Sequence, residues 1–318
     1  MYDLVSVGEL LIDLFSASSP LDFKGAVGGA PCNLAAQAAR LGSRVALVCK
    51  VGDDHFGRYL KDYVEKAGLD SRFVTASSKA NTTLAFVSLD ETGNRSFTFY
   101  RKPGADMLLE AADIPMDVLK ATRCVSYGGV GLSAEPCRSA IFEALAQLDC
   151  EKQVIAYDPN LRESLWATPE EMVKVTLQGM QYANVVKLTD EELLYLTGCS
   201  DLLNAWKTLQ QQHPNIRLCV ITAGGQGAYL PAEEGLKHYP ACRVQVVDTT
   251  GAGDSFFGAL LHCICKYGKL PWEYEIETLD AFVRYANAAG GLTTTGRGAI
   301  ASMPDHEAIL RCLQQSAP

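Results

Sequence analysis

The sequence predicts an α/β fold, in which one mainly parallel sheet carries helices on both of its faces. From Cys124 onward, apolar strand-like segments alternate with helix-like segments, an order typical of parallel sheets. Residues 82–100 break this order with two alternating β-like segments joined by a turn. We therefore predict a small antiparallel addition beside the main sheet.

The N-terminal part contains clear boundary signals. One helix has Pro31 near its start and Gly42 after its end, and the next is stopped by Gly68. The segment 90–94 between the two alternating strands indicates a hairpin. The predicted elements are strand 4–8, helix 30–41, strand 44–49, helix 55–67, and strands 82–89 and 96–100.

The C-terminal part follows the βα alternation. Its predicted elements are strand 124–127, helix 134–148, strand 153–157, helix 169–180, strand 185–187, helices 190–196 and 201–212, and strand 218–222. The alternating stretch 242–247 is β-like, and an apolar helix-like run begins at Phe256. No Pro/Gly/Ser linker or internal repeat divides the chain, so we expect one domain over 1–318 with an appended flap.

Composition excludes several classes of protein. The 318 residues are 48% hydrophobic, which allows a large core. A net charge of −9 without a basic run argues against nucleic acid and anionic membranes as partners. The 11 cysteines include no C-x-x-C pair, so we expect reduced thiols in a cytoplasmic protein. We expect no signal peptide, because no basic segment precedes an apolar stretch at residues 1–4, and no apolar run reaches membrane-spanning length.

The segment 248–256 is the most informative part of the chain. Small residues between a β-like stretch and a helix expose backbone N–H groups at the positive end of the helix dipole, which attracts phosphate. A carboxylate at Asp254 opposes that attraction unless it acts as a general base toward an attacking hydroxyl. The alternative is a tight turn in which Asp254 caps the helix.

Three further segments combine glycines or polar side chains with strand ends. In 25–33 a glycine-rich turn opens a helix, and Asn33 and Asp13 can bind a polyol. Residues 158–162 follow a strand, where Arg162 can clamp phosphoryl oxygens. Residues 222–227 can seat nucleotide phosphates. Taken alone, each segment is equally compatible with an ordinary loop or turn.

Other motifs are missing. The sequence contains no Walker A pattern, no G-x-G-x-x-G fingerprint, no protein-kinase signature and no metal-ligand spacing among its five histidines.

Together these segments resemble the ribokinase-like, or PfkB, carbohydrate kinases. Residues 28–33, continuing to Gly42 and Gly52, are similar to the first signature of the family, and residues 248–259 are similar to the second. The two lie in order and about 220 residues apart. The resemblance implies a three-layer α/β/α fold with a mainly parallel central sheet and a small antiparallel lid, formed by about 14–30 and 82–106.

Within the family the chain most resembles fructokinases. The stretches that carry this likeness are 99–109, 157–166, 187–192 and 287–299. Ribokinase fits less well, because Leu11 stands where it carries a sugar-binding Asn two positions before the Asp. Fructose is therefore the expected substrate. Kinases for 2-keto-3-deoxygluconate or aminoimidazole riboside are the alternatives within the family. A catalytically silent sugar sensor and a nicotinamide-dependent enzyme are the alternatives outside it.

The resemblance also implies residue roles. Asp254 would be the catalytic base, with the N–H groups of Gly251, Ala252 and Gly253 as anion hole. The sugar would be held by Asp13, Gly28, Gly29, Asn33 and Arg101. ATP would be held by Asn160, Arg162, Lys187, Thr222, Gly224, Gly225, Gly227 and Asn287. A monovalent cation such as K⁺ would lie near Asp248, Thr250, Thr293, Gly296, Gly298 and Ser302.

Two further expectations come from the resemblance. Many members carry an Asn-x-x-Glu motif that affects Mg²⁺, and this chain has Lys187 and Asp190 instead, as fructokinases usually do. Relatives commonly form homodimers through the lid.

Overall fold

The computed structural model describes residues 1–16, 19, 21–89, 95–232 and 235–315. Nine strands form the main sheet, and four form a second sheet that we call the small sheet. The strands are β1 (Leu4–Val7), β2 (Leu11–Ser16), β3 (Phe23–Gly28), β4 (Val45–Gly52), β5 (Val74–Ser77), β6 (Leu84–Leu89), β7 (Arg95–Tyr100), β8 (Cys124–Gly128), β9 (Val154–Asp158), β10 (Val185–Thr189), β11 (Leu218–Thr222), β12 (Ala228–Ala232) and β13 (Gly235–Tyr239).

Helices cover both faces of the main sheet. They are α1 (Ala30–Arg40), α2 (His55–Lys66), α3 (Met116–Ala121), α4 (Cys137–Leu145), α5 (Pro169–Met180), α6 (Asp190–Thr197), α7 (Leu202–Gln212), α8 (Ala252–Tyr267), α9 (Ile276–Thr293), α10 (Ala299–Ser302) and α11 (His306–Gln315). Within the described residues, none of the helices combines the length and apolarity needed to cross a bilayer.

The main sheet has the strand order β13-β12-β11-β10-β9-β8-β1-β4-β5. From β11 to β5 all pairings are parallel, whereas β12 and β13 add an antiparallel hairpin at one edge. Parallel strands place all their carboxyl ends at one edge of a sheet, where ligands gather in α/β folds. The topology thus brings the loops after β1, β8, β9 and β10 together.

Alternation of side chains along the strands produces two hydrophobic cores. In β4, Leu47 and Cys49 pack in one core with α1, α8 and α9, while Ala46 and Val48 pack in the other with α4, α5 and α7. Each fully buried aliphatic side chain of this kind contributes about 1.5–3 kcal/mol relative to an exposed one. This two-sided burial confirms the predicted three-layer fold.

The small sheet has the order β3-β2-β6-β7. Its outer pairs are antiparallel, as predicted, and its central pair, β2 with β6, is parallel. Asp13 in β2 and Phe99 in β7 flank Ala85 on one face, and Asp13, Phe97 and Phe99 line the cavity described below. The predicted hairpin turn 90–94 lies outside the described residues.

Most predicted elements are present, with shifts at their ends. The predicted helix 134–148 is shorter, at Cys137–Leu145, because Pro136 lies at its N-cap. The predicted strand 242–247 is wrong: this stretch is irregular, with Val246 and Val247 more than half exposed. Its described backbone contacts are the N–H groups of Val247 and Asp248 bonded to the Thr294 carbonyl, which is not a strand ladder. The elements that were not predicted are strands β5, β12 and β13 and helices α3, α9, α10 and α11.

Helices α1 and α8 pack against each other unusually closely. A Cβ atom on Gly258 would lie 2.4 Å from the Leu34 carbonyl oxygen and 3.0 Å from the Gln37 Cβ. Ser255 donates a hydrogen bond to Gln37 at 2.9 Å and accepts one from Thr293 at 2.8 Å, which links α1, α8 and α9. The close approach fixes the two helix N-termini relative to each other.

We expect Gly258→Ala to lower the free energy of unfolding by about 1–3 kcal/mol, because the added methyl group forces α1 and α8 apart. Urea unfolding followed by circular dichroism measures the loss. Gly225→Ala is the control, since a Cβ there meets nothing within 4 Å. Equal stability of the two variants would contradict the close packing.

Candidate active site

A cavity of about 540 Å³ lies at the carboxyl ends of the parallel strands. Its walls come from β2 and β7 of the small sheet, from the N-termini of α1 and α8, and from the loops that follow β9 and β10. Six acidic residues line it, and two basic residues accompany them. The acids are Glu9, Asp13, Glu163, Glu191, Glu192 and Asp254, and the bases are Arg162 and Lys187.

The N-termini of α1 and α8 meet in this cavity. The Asn33 Nδ2 atom donates a hydrogen bond to the Asp254 Oδ2 atom at 2.8 Å, although the two residues are 221 positions apart. Gly251 is the N-cap of α8 with φ of 76°, a left-handed conformation that favours glycine, and α8 has no side-chain cap. The N–H groups of its first turn are therefore open to an anionic ligand.

The predicted anion-hole residues share this turn. Gly251 and Gly253 line the cavity. The Ala252 N–H makes a long hydrogen bond of 3.3 Å to the Thr249 carbonyl, which a phosphoryl oxygen would have to replace. The predicted base and anion hole are thus adjacent in space as well as in sequence.

Burial raises the pKa of Asp254, and three neighbours oppose this effect. The hydrogen bond from Asn33 and the positive charges of Lys187 and Arg162 all stabilise the carboxylate form. A desolvated carboxyl group whose carboxylate form three neighbours stabilise suits proton abstraction from a hydroxyl.

Lys187 projects from β10 beside the α8 turn. Its Nζ atom contacts both carboxylate oxygens of Asp158, at 3.1 and 2.9 Å, and a Cβ on Gly253 would lie 3.2 Å from it. Burial opposes the charge of Lys187, but the carboxylates of Asp158, Glu192 and Asp254 outweigh burial and raise its pKa. A buried ammonium here can meet a phosphoryl group bound at the α8 N-terminus.

The predicted sugar residues divide into two groups. Asp13, Gly29 and Asn33 line the cavity, and Gly28 lies directly against the Asp13 carboxylate. Arg101 is different, because it is not among the lining residues.

Arg101 is buried behind the cavity wall. It forms an ion pair with Asp106 at 2.6 Å and donates to Ser133 and to the carbonyl of Val130, which does line the cavity. Its structural connection to the cavity therefore runs through Val130.

The predicted ATP residues are spread over two cavities. Asn160 and Arg162 line the first cavity with Lys187, and the Arg162 guanidinium lies 5.1 Å from the Phe97 ring of the small sheet. Asn287 lines a second cavity of about 1030 Å³ and donates to the carbonyls of Tyr239 and Pro240.

The remaining predicted ATP residues line neither of these cavities. Thr222 ends β11, and its hydroxyl donates to the Leu188 carbonyl at 3.3 Å. Gly224, Gly225 and Gly227 follow in the tight turn between β11 and β12. This turn connects the β11 edge of the sheet to the segment 239–241, against which Gly227 packs.

The predicted cation residues come together in part. Asp248 accepts hydrogen bonds from Thr250 and from the Gly298 N–H at 3.0 Å, and Gly296 packs against Ser302. The Thr293 hydroxyl is directed into the helix packing, toward the Ala289 carbonyl and Ser255. Only its carbonyl oxygen is left for a cation.

Sequence reasoning missed two groups of cavity residues. Glu9 lines the cavity two residues after β1 ends. Its position four residues before Asp13 is the one sequence feature that could have indicated a place in the sugar site. Glu191 and Glu192 line it from α6, whereas Asp190 does not. Glu192 also completes the α6 capping box with Thr189 and accepts the Leu161 N–H at 2.7 Å.

Comparison with known proteins adds independent evidence. The model of the pfkB family carbohydrate kinases matches residues 1–306. Fructokinase-1 of Zea mays is 40% identical, with 98% of each chain covered. The structure of a fructokinase with bound ATP from Xylella fastidiosa has a TM-score of 0.92 at 29% identity, with 100% of both chains covered.

A second solved structure is also similar. The fructokinase from Vibrio cholerae O395 in its fructose, ADP and calcium ion bound form has a TM-score of 0.89 at 32% identity, with 98% of both chains covered. The two signatures, the three-layer fold and the matched model agree over nearly the whole length. The chain belongs to the pfkB family of carbohydrate kinases.

Proposed function

We propose that this ATP-dependent sugar kinase is a fructokinase that forms fructose 6-phosphate, with Asp254 as general base. The observation that carries the proposal is the hydrogen bond between Asn33 and Asp254 at the uncapped N-terminus of α8. This contact supports the proposal, because it joins the proposed base to a proposed sugar-binding side chain beside a proposed anion site in one cavity.

The reaction follows from this arrangement. Asp254 takes the proton of the sugar hydroxyl, whose oxygen forms a bond to the γ-phosphorus while the bond to the ADP oxygen breaks. The N–H groups of Gly251, Ala252 and Gly253, with Lys187, stabilise the charge on the transferred phosphoryl group. Asn33 orients the base through its hydrogen bond.

ATP and a divalent metal ion, which we propose to be Mg²⁺, fit the donors present. The carboxylates of Glu163, Glu191 and Glu192 line the same cavity as Lys187, and hard oxygen donors are what Mg²⁺ prefers. Among the described residues no three acids, histidines or cysteines form a metal cluster, so the phosphates of ATP would supply part of the ligands. When bound, the ion would neutralise charge on the phosphates. Asn160 and Arg162 would hold the phosphates. Asn287 and the turn of Thr222, Gly224, Gly225 and Gly227 would hold the remainder of the nucleotide.

A monovalent cation, proposed to be K⁺, fits beside Asp248. The hydrogen bonds of Asp248 to Thr250 and Gly298 already join the loop before α8 to the loop before α10. Carbonyl oxygens of Thr293 and Gly296, with Ser302, would complete an oxygen-rich site. The ion would stiffen the turn that carries the anion hole.

The whole chain is proposed to form one domain in which the small sheet serves as lid. Asp13, Phe97 and Phe99 project from it into the cavity, so its position controls the sugar site.

Phe86 contacts Phe23 and Tyr100, and Tyr100 is 66% exposed. This aromatic cluster is the surface through which we propose a homodimer. We propose a cytoplasmic location, which the 11 free cysteines support, because thiols stay reduced in that compartment.

We expect Asp254→Asn to lower kcat by about 10²–10⁴-fold, because the amide cannot accept the hydroxyl proton. Steady-state ADP release measures kcat, and calorimetry checks that ATP still binds. Asp53→Asn, a change of an exposed acid outside the cavity, is the control. Retention of more than about a tenth of the wild-type kcat would remove Asp254 from the role of base.

We expect Arg101→Ala to raise the KM for fructose about tenfold or more and to leave the KM for ATP within about twofold. Loss of its hydrogen bonds to Asp106 and Val130 disturbs the sugar side of the cavity, and such charged hydrogen bonds contribute about 1.5–3 kcal/mol. Thermal melting confirms that the variant is folded at the assay temperature. Equal changes in both KM values would show that Arg101 does not serve the sugar site.

We expect kcat/KM for fructose to exceed that for 2-keto-3-deoxygluconate by at least about 100-fold, or about 2.7 kcal/mol. Asp13 and Asp254 line the cavity and repel the carboxylate of the acid sugar, whereas a neutral ketose uses them as hydroxyl acceptors. Coupled ADP release at subsaturating sugar gives the ratio. A ratio near one would refute fructose selectivity but leave the kinase assignment intact.

A further inference from the structure

Glu9 is a buried acid at the sugar end of the cavity. It follows Gly8 after β1, is only 3% exposed and lines the cavity with Asp13 and Asn33. Its Oε1 atom accepts the Ala30 N–H at 3.1 Å, so one carboxyl oxygen holds the first turn of α1. This contact gives one of the two carboxyl oxygens a hydrogen-bond partner.

The second oxygen, Oε2, has no hydrogen-bond partner among the described residues. Within the described part of the chain, the Glu9 Oε2 atom and the Asn33 Oδ1 atom are both buried without a hydrogen-bond partner. An unsatisfied buried polar atom costs about 1–3 kcal/mol, so two of them beside one cavity indicate that a ligand supplies their partners. A hydroxyl group both donates and accepts, and can therefore satisfy an acceptor and a donor together.

The surroundings of Glu9 decide which form of the carboxyl group is present. Arg101, the nearby cation, is committed to Asp106 at 2.6 Å. The other titratable groups around this region are acidic or neutral: Asp13 on β2, Cys32 on α1, Cys49 on β4, Asp106, Cys137 on α4 and Asp254 on α8. No described residue forms an ion pair with Glu9, so an ionised Glu9 would be a buried charge without a paired cation.

Burial, with a further contribution from Asp106, accordingly raises the pKa of Glu9 to about 8, against the opposing effects of its own N–H, Arg101 and Ala30. At neutral pH the group is mainly a carboxylic acid. Because Oε1 accepts from Ala30, the proton belongs on Oε2, which becomes a donor.

We propose that Glu9 is a sugar-binding residue that acts as a neutral carboxylic acid, donating a hydrogen bond from Oε2 to a sugar hydroxyl that in turn donates to Asn33 Oδ1. The inference rests on the proposed function, because it assigns the sugar contact within that site. Glu9 thereby adds a donor beside the acceptors that Asp13, Asp254 and the Asn33 Oδ1 atom offer in the cavity.

The proposal has a thermodynamic signature. If only the protonated form binds sugar, binding raises the Glu9 pKa further, and the complex takes up protons at a pH near or above 8. Affinity is then complete below pH 7 and falls as Glu9 ionises above pH 8. A purely structural carboxyl group would not couple its proton to the sugar.

Calorimetric titration with fructose at pH 8.5, in two buffers of different ionisation enthalpy, measures this coupling. We expect the wild type to take up roughly 0.7 proton per sugar bound, and Glu9→Gln to take up none. Glutamine keeps an acceptor for Ala30 and a donor in place of Oε2–H. Glu143→Gln, an exposed change on α4, should behave as the wild type.

Kinetics provide the second readout. From pH 7 to pH 9 the wild-type KM for fructose should rise about tenfold relative to that of Glu9→Gln, whose value at pH 7 should lie within about threefold of the wild type. Absence of proton uptake in the wild type, or a loss of more than tenfold for Glu9→Gln at pH 7, would overturn the proposal. Proton uptake by the wild type can be measured without any variant. It therefore tests the role of Glu9 even if Glu9→Gln fails to fold.

The proposed function is tested separately by ADP release with fructose at pH 7. If the wild type phosphorylates fructose without proton uptake on binding, the role of Glu9 fails and the function stands. If it does not phosphorylate fructose, the function fails, and the uptake titration with the sugar that is phosphorylated decides the role of Glu9.

Discussion

The close packing of α1 against α8 is the constraint on which the site depends. Gly258 lets the helices approach until backbone meets backbone, and the buried chain from Gln37 through Ser255 to Thr293 fixes their rotation. Both helices begin at the cavity, so their relative position sets the 2.8 Å contact between Asn33 and Asp254. The proposed sugar ligand Asn33 and the proposed base Asp254, from opposite ends of the sequence, are thereby held in direct contact.

The second constraint on the cavity is its excess of acidic side chains. Acids outnumber bases along its lining, and Lys187 is already shared with Asp158. We expect such a cavity to accept a polyphosphate with a metal counterion and at the α8 N-terminus, where the helix dipole and N–H groups would compensate charge. Near the small sheet, Arg162 stacks on Phe97, and Arg101 lies behind the wall in an ion pair with Asp106, while Asp13 lines the cavity, an arrangement that favours an uncharged sugar.

The sequence was sufficient for the three-layer fold and for naming Asn33 and Asp254, which the structure brings together in the cavity, because local signals mark both positions. The glycine turn before Asp254 and the Gly-Gly before Asn33 are both helix starts, readable from residue type. Glu9 and the contact of Arg101 with Val130 were not readable, since each depends on burial across elements. The stretch 242–247 alternates like a strand but finds no neighbouring strand, a tertiary outcome that periodicity does not encode.

The stacking of Arg162 on Phe97 connects the proposed phosphate-binding loop with the small sheet, and so connects ATP binding with sugar binding. Arg162 follows β9 on the proposed phosphate side, and Phe97 lies in the small sheet on the proposed sugar side. If the small sheet moves as the proposed lid, its movement away from the cavity would break this contact and expose Arg162 to water. Such a link would produce kinetic synergy between the two substrates. It would also limit futile hydrolysis, because water would leave the site only when both halves are occupied.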